Sequence, residues 1–128
     1  MLFRSIAKRV PLLESAGKIE PLSLLPEMAR ISTEMVHNVL DAFVERDAAA
    51  AVTVCERDSA VDDFYDSIFR TLLTHMMENP QNIGQSAHLL FVAKNLERVG
   101  DHATNIAEMV YYAATGEHLA DRPGKSPR

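Results

Sequence analysis

Apolar residues in this chain recur with a helical period, and no stretch alternates as a strand would. Four helices are expected from that pattern. The first is predicted from about Leu2 to Ser15, with Phe3, Ile6, Val10 and Leu13 on one side and a stop at Gly17. The second starts after Pro21 and Pro26 and runs to about Arg46. The third covers about Asp47 to Glu78 and stops before Asn79-Pro80. The fourth covers about Ile83 to Thr115, where Gly116 supplies the C-terminal cap. A helix of about 30 residues spans roughly 45 Å, so the last two must lie antiparallel in a long bundle. The expected fold class is therefore all-α, a long antiparallel three-helix unit with an extra N-terminal helix.

Ser5-Ile6-Ala7-Lys8-Arg9-Val10 is similar to Asn105-Ile106-Ala107-Glu108-Met109-Val110, and both segments run on to a glycine, Gly17 and Gly116. The chain reads as one full repeat preceded by the end of another. That divides it into residues 1–18, the terminal helix of a preceding repeat, residues 19–119, the bundle, and residues 120–128, a disordered tail.

The polar positions that interrupt the apolar stripes carry the chemistry. On the third helix Val54, Cys55, Val61, Tyr65, Ile68, Phe69, Leu72, Leu73 and Met76 share one side, with Asp58 and Asp62 in its middle. Taking a carboxylate out of water without a partner costs several kcal/mol. These two must meet a cation, or that end of the stripe is wet. Asp63 and Asp66 lie further round and read as surface. On the fourth helix Leu89, Val92, Ala93, Leu96, Val99, Ala103, Ile106, Ala107 and Val110 form the stripe. Glu97, Asp101 and Glu108 line its flank, and Asn105 lies just beyond. Gly100, in mid-helix, costs about 1 kcal/mol against alanine and opens room at the stripe for another backbone or a ligand.

Two acidic pairs spaced i, i+4 on neighbouring helices point to a cation site more than to a solvated surface. The competing account is salt bridging. Lys94 precedes Glu97 by one turn, Arg98 precedes Asp101, and Arg57 and Arg98 could neutralise acids across helices. Oxygen-only ligands select a hard cation, Mg²⁺, Mn²⁺, Ca²⁺ or iron. No cysteine or histidine set has structural-zinc spacing, though zinc stays within the range of ions the carboxylates could take. Glu34-Met35-Val36-His37 is a single Glu-x-x-His on a polar helix side, weak support for a di-iron oxidase. His75 and His88 read as packing or surface residues, His102 faces away from the acids, and Cys55 reads as a small core residue. There is no phosphate-cradling glycine loop, nucleophile elbow or triad pattern, so no catalytic residue is assigned. A carboxylate-bridged metalloenzyme and a metal-free helical interaction module stand as the alternatives.

Composition narrows the setting. The 128 residues suffice for one domain with a core, and a net charge of −5 leaves no basic stripe for nucleic acid. The lone Cys55 rules out an internal disulfide and fits a reducing compartment. No apolar run reaches membrane-span length, and Met1-Leu2-Phe3-Arg4-Ser5-Ile6 lacks the features of a signal peptide. The expectation is a cytoplasmic protein, with peripheral membrane association open to it through a partner. The apolar side of residues 2–16 also needs cover, which a second copy would supply in a homodimer.

Asn95-Leu96-Glu97-Arg98-Val99-Gly100-Asp101-His102-Ala103-Thr104-Asn105-Ile106-Ala107-Glu108, followed by Tyr111-Tyr112 and Gly116, resembles the C-terminal signature of the PhoU family of phosphate-transport regulators. Leu40-Asp41-Ala42-Phe43, Glu56-Arg57-Asp58-Ser59-Ala60-Val61-Asp62 and Leu73-Thr74-His75-Met76-Met77-Glu78 fit the family's second repeat in order and spacing. The resemblance covers roughly residues 20–119, with residues 1–18 as the end of the first repeat. It implies a tandem of three-helix bundles, each with a Glu/Asp-x-x-x-Asp motif able to hold a multinuclear metal cluster, iron among the ions. Here that motif falls on Glu97 and Asp101, faced by Asp58 and Asp62, with Asn105 and Glu108 at its edge. With one full repeat present, one metal-binding repeat at most is implied. The resemblance also implies a non-enzymatic role: limiting phosphate uptake and repressing the phosphate-starvation regulon, by coupling the phosphate ABC transporter to a sensor histidine kinase.

Overall fold

A computed structural model describes residues 23–119. It contains α1 (Leu25–Glu45), α2 (Ala48–Glu78), a single 3₁₀ turn (Pro80–Asn82) and α3 (Ile83–Thr115). These are the second, third and fourth predicted helices, and no strand occurs among the described residues. The predicted helix over residues 2–15, the unit 1–18, the Ser5–Val10 copy of the repeat and the tail 120–128 lie outside the described residues. The chain runs up through α1, down through α2 and up again through α3, so α2 is antiparallel to both neighbours.

Local chemistry explains each boundary. α1 starts at Leu25, before Pro26 rather than after it. A proline in the first turn lacks an N–H that would have no helical partner anyway. Arg46 closes α1 in the left-handed region (φ 53°, ψ 43°), its N–H donating to the Ala42 carbonyl. Asp47 follows as the N-cap of α2, its carboxylate accepting from the Ala50 N–H at 3.1 Å. One residue turns the chain and the next caps the new helix, so the link is minimal. α2 ends at Asn79, whose side chain accepts from the Gln81 N–H at 2.9 Å, and Pro80 cannot extend the helix. Gly116 ends α3 at φ 75°, a conformation that favours glycine, with its N–H 2.8 Å from the Tyr112 carbonyl.

The core lies along the axis between the three helices. Met28, Met35 and Val39 come from α1, Val61, Ile68 and Leu72 from α2, and Leu89, Ala93 and Ala103 from α3. Ser32 is fully buried and donates to the Leu96 carbonyl at 3.2 Å, tying α1 to α3. Cys55 is partly buried, with its Sγ 3.9 Å from the Thr104 carbonyl, a small side chain at the core's edge. The buried stripes are narrower than predicted. Phe69, Leu73 and Ile106 stay exposed at 42%, 43% and 37%. Phe69 and Leu73 directly follow the core residues Ile68 and Leu72, which turns them about 100° away from the axis. In a three-helix bundle each helix has only two neighbours, and positions that far round reach solvent.

Leu72 has no exposed surface. Leu72→Ala should therefore cost about 2–5 kcal/mol, the transfer term plus the cavity left in a packed core. Urea unfolding followed by circular dichroism measures it, with a lower midpoint at unchanged slope expected.

Candidate metal centre

α2 and α3 run antiparallel along most of their length, so an acidic pair on one can face an acidic pair on the other. Asp58 and Asp62 stand one turn apart on α2, and Glu97 and Asp101 one turn apart on α3. Asp58, Asp62 and Asp101 each bring one carboxylate oxygen to a common place, these oxygens lying within 4.8 Å of one another. Asp58 is wholly buried, while Asp62 and Asp101 are half-buried at the rim. The site thus has a dry floor and a wet mouth.

Gly100 forms part of that floor. A Cβ there would lie 3.4 Å from Asp58 Oδ1, 3.6 Å from Val61 Cγ1 and 3.7 Å from Met35 Sδ. The close approach that a mid-helix glycine suggested is made by a carboxylate side chain from α2. It is not made by a second backbone.

The electrostatics are those of crowded like charges. Burial pushes the Asp62 carboxyl above the usual aspartate range, and the neighbouring Glu97, Asp101, Asp66 and Asp63 push the same way. Burial also raises Asp101, reinforced by Glu97 and partly offset by Lys94 and His102. A cation of charge +2 or more between these oxygens would relieve both effects.

Glu97 stands apart from the three converging aspartates. Its Oε1 lies 2.6 Å from Lys94 Nζ, the i, i+3 pair anticipated by the salt-bridging account. Asn105 is exposed, and neither it nor the half-buried Glu108 joins the convergent group. A helical wheel places them near the same flank as Asp101. The rise of the helix carries them about 6 Å and about 10 Å further along its axis. Arg57 pairs with Glu34 of α1 at 2.9 Å, which holds it away from the aspartates on its own helix. Arg98 is exposed. Glu34 also takes Arg30, and His37 faces Asp41 on the exposed side of α1, so the Glu-x-x-His pair points away from the site.

One neighbour escapes a reading of acidic residues alone. The Lys94 ammonium also stands 5.2 Å from the centre of the Tyr65 ring, bridging α3 to α2. The signal was present in the spacing: Tyr65 lies one turn beyond Asp62, and Lys94 one turn before Glu97. In chemical terms the donor set is hard oxygen from at least three carboxylates on two helices. That set fits a hard cation such as Mg²⁺, Mn²⁺, Ca²⁺ or iron.

The sequence of residues 25–110 matches the PhoU domain family model. The phosphate-specific transport system accessory protein PhoU homolog of Zymomonas mobilis is 54% identical over 119 residues, which is 93% of this chain and 50% of that protein. The protein of the same name from Caulobacter vibrioides is 44% identical over 123 residues, 95% of this chain and 54% of its own length. The crystal structure of PhoU from Pseudomonas aeruginosa superposes with a TM-score of 0.82 at 35% identity, covering 88% of this chain and 55% of that one. The chain spans about half the length of the curated relatives it matches. With the family model covering most of the bundle, and relatives this similar over nearly all of its length, this chain belongs to the PhoU family.

Proposed function

We propose that this chain serves phosphate transport as a non-enzymatic regulator, limiting phosphate uptake and holding the phosphate-starvation regulon down when phosphate is plentiful. The observation that carries the reading is similarity, over more than nine-tenths of the chain, to proteins named as accessory to the phosphate-specific transport system. In this reading the partners are the phosphate ABC transporter and a sensor histidine kinase, and the chain works in the cytoplasm at the face of the inner membrane. No described helix is long and apolar enough to cross a membrane. The assembly is a homodimer, a reading supported by apolar side chains left on the surface of α1 and α3, Phe43, Val44 and Met109 among them at 64%, 79% and 70% exposure.

The same reading gives Asp58, Asp62 and Asp101 the role of holding one or more hard cations, iron among them, with Glu97 next to them. A bound cation would supply charge neutralisation and a crosslink between α2 and α3. The residues do the rest: Asp58 anchors the floor, and Asp62 and Asp101 set the mouth. A metal-free interaction module is the second reading, and the Lys94–Glu97 pair favours it because it neutralises one acid without metal.

The functional test is complementation. Expressed in a bacterium deleted for its own PhoU and grown in ample phosphate, the chain should lower a starvation-regulon reporter several-fold and reduce phosphate uptake. The purified protein should show no phosphatase or kinase turnover. An unchanged reporter with the folded chain present at normal abundance would overturn the regulatory reading.

A further inference from the structure

Three of the four acidic residues at the centre converge, and one does not. Asp58, Asp62 and Asp101 point their oxygens at one place, while Glu97 is turned to Lys94 at 2.6 Å. Glu97 is nevertheless on the same helix one turn from Asp101, and its charge reaches both Asp62 and Asp101. Its side chain is only 15% exposed, whereas that of Lys94 is 56% exposed. The lysine comes in from the wet side and reaches a carboxylate that is largely enclosed. Its ammonium has a second resting place in the Tyr65 ring, 5.2 Å away on the facing helix.

We propose that Lys94 is a built-in competitor for the cation, and that it holds Glu97 in reserve as a gated fourth donor. The proposal rests on the reading of Asp58, Asp62 and Asp101 as cation ligands. A single ammonium bound to Glu97 supplies part of the compensation that a cation would supply, so the carboxylates can coexist with less strain. To join the other three donors, Glu97 must give up Lys94. A cation of charge +2 attracts Glu97 more strongly than a lysine does and repels the ammonium a few ångströms away. The released ammonium need not return to water alone, because the face of Tyr65 retains it. Lys94 therefore sets the cation concentration at which the centre fills, chiefly through its pair with Glu97. This gives an exposed lysine a definite part in tuning the site, where a surface pair would ordinarily be worth little.

The test is a Mn²⁺ titration by isothermal calorimetry on the full chain, stripped with a chelator, at fixed pH and ionic strength. Four proteins are compared: wild type, Lys94→Gln, Glu97→Gln and the double variant, with circular dichroism confirming the fold of each. Lys94→Gln should bind Mn²⁺ about fivefold more tightly, the scale expected when Glu97 no longer has to give up an ion pair worth about 1 kcal/mol before it joins the other donors. In the Glu97→Gln background the same lysine substitution should gain less than about twofold, because no carboxylate is left to release and only the ammonium's charge on Asp101 remains. Equal affinity of wild type and Lys94→Gln overturns the competitor role and leaves the aspartate site standing. An equal gain in both backgrounds also overturns it, since Lys94 would then act only as a distant repelling charge. Absence of Mn²⁺ binding in all four folded proteins overturns both the competitor and the site.

Discussion

Asp58→Asn combined with Asp101→Asn should abolish metal uptake by the purified chain, leaving less than about a tenth of the wild-type metal content after dialysis. The two substitutions remove two of the three convergent carboxylates, one from each helix, while keeping the size of the side chains. Hard cations bind through charged oxygens at fixed number and position, so Asp62 alone retains little affinity. Outer partners of metal ligands already cost roughly 10–100-fold when lost, and two direct donors should cost about 100-fold or more. The fold itself should survive. An asparagine in the floor of the site brings no charge there, and the metal-free double variant should melt no lower than metal-free wild type. Elemental analysis of both proteins purified side by side gives the result, and unchanged metal content in the double variant would sink the assignment.

How much of this was legible in the sequence differs by residue, and for physical reasons. α2 and α3 were readable nearly to the residue because Asp47, Asn79-Pro80 and Gly116 each dictate a boundary through their own backbone chemistry. The start of α1 was shifted because a proline is permitted inside the first turn as well as before it. That Asp58 and Asp62 face the same way was readable because a spacing of four fixes a common helix face whatever surrounds it. The destination of Glu97 was not. Whether it serves a cation across the seam or Lys94 one turn away turns on rotamers and a few ångströms, which periodicity does not contain. Asn105 and Glu108 show the complementary failure. A wheel records angle and discards height, and these two share roughly the right angle at the wrong height. The edges of the stripes at Phe69 and Leu73 were misjudged because the buried arc depends on how many helices surround each one.

In the presence of a chelator, the thermal stability contributed by the acidic centre should grow as the pH falls through the raised midpoints of Asp62 and Asp101. Asp62 and Asp101 have folded-state midpoints above the ordinary aspartate value, through burial first and neighbouring carboxylates second. The folded chain therefore binds these protons more tightly than the unfolded chain does. Linkage then fixes the sign: the contribution is fully present below the unfolded value of about 3.9 and is lost as the pH rises through the raised folded midpoints. The exposed Glu27, lowered by Arg30, works in the opposite direction, but a solvated pair of that kind carries little weight. Asp62→Asn and Asp101→Asn should each raise the neutral-pH melting temperature of metal-free protein, and each should flatten the response to acid. Saturating Mn²⁺ should invert the trend, because protons then compete with the cation for the same oxygens and acidification strips it away. Melting curves taken in steps from neutral pH down to the ordinary aspartate value of about 3.9, with chelator and with Mn²⁺, separate these outcomes. A metal-free wild type that loses stability on acidification as steeply as Asp62→Asn does would mean that the centre is not under the electrostatic strain its geometry implies.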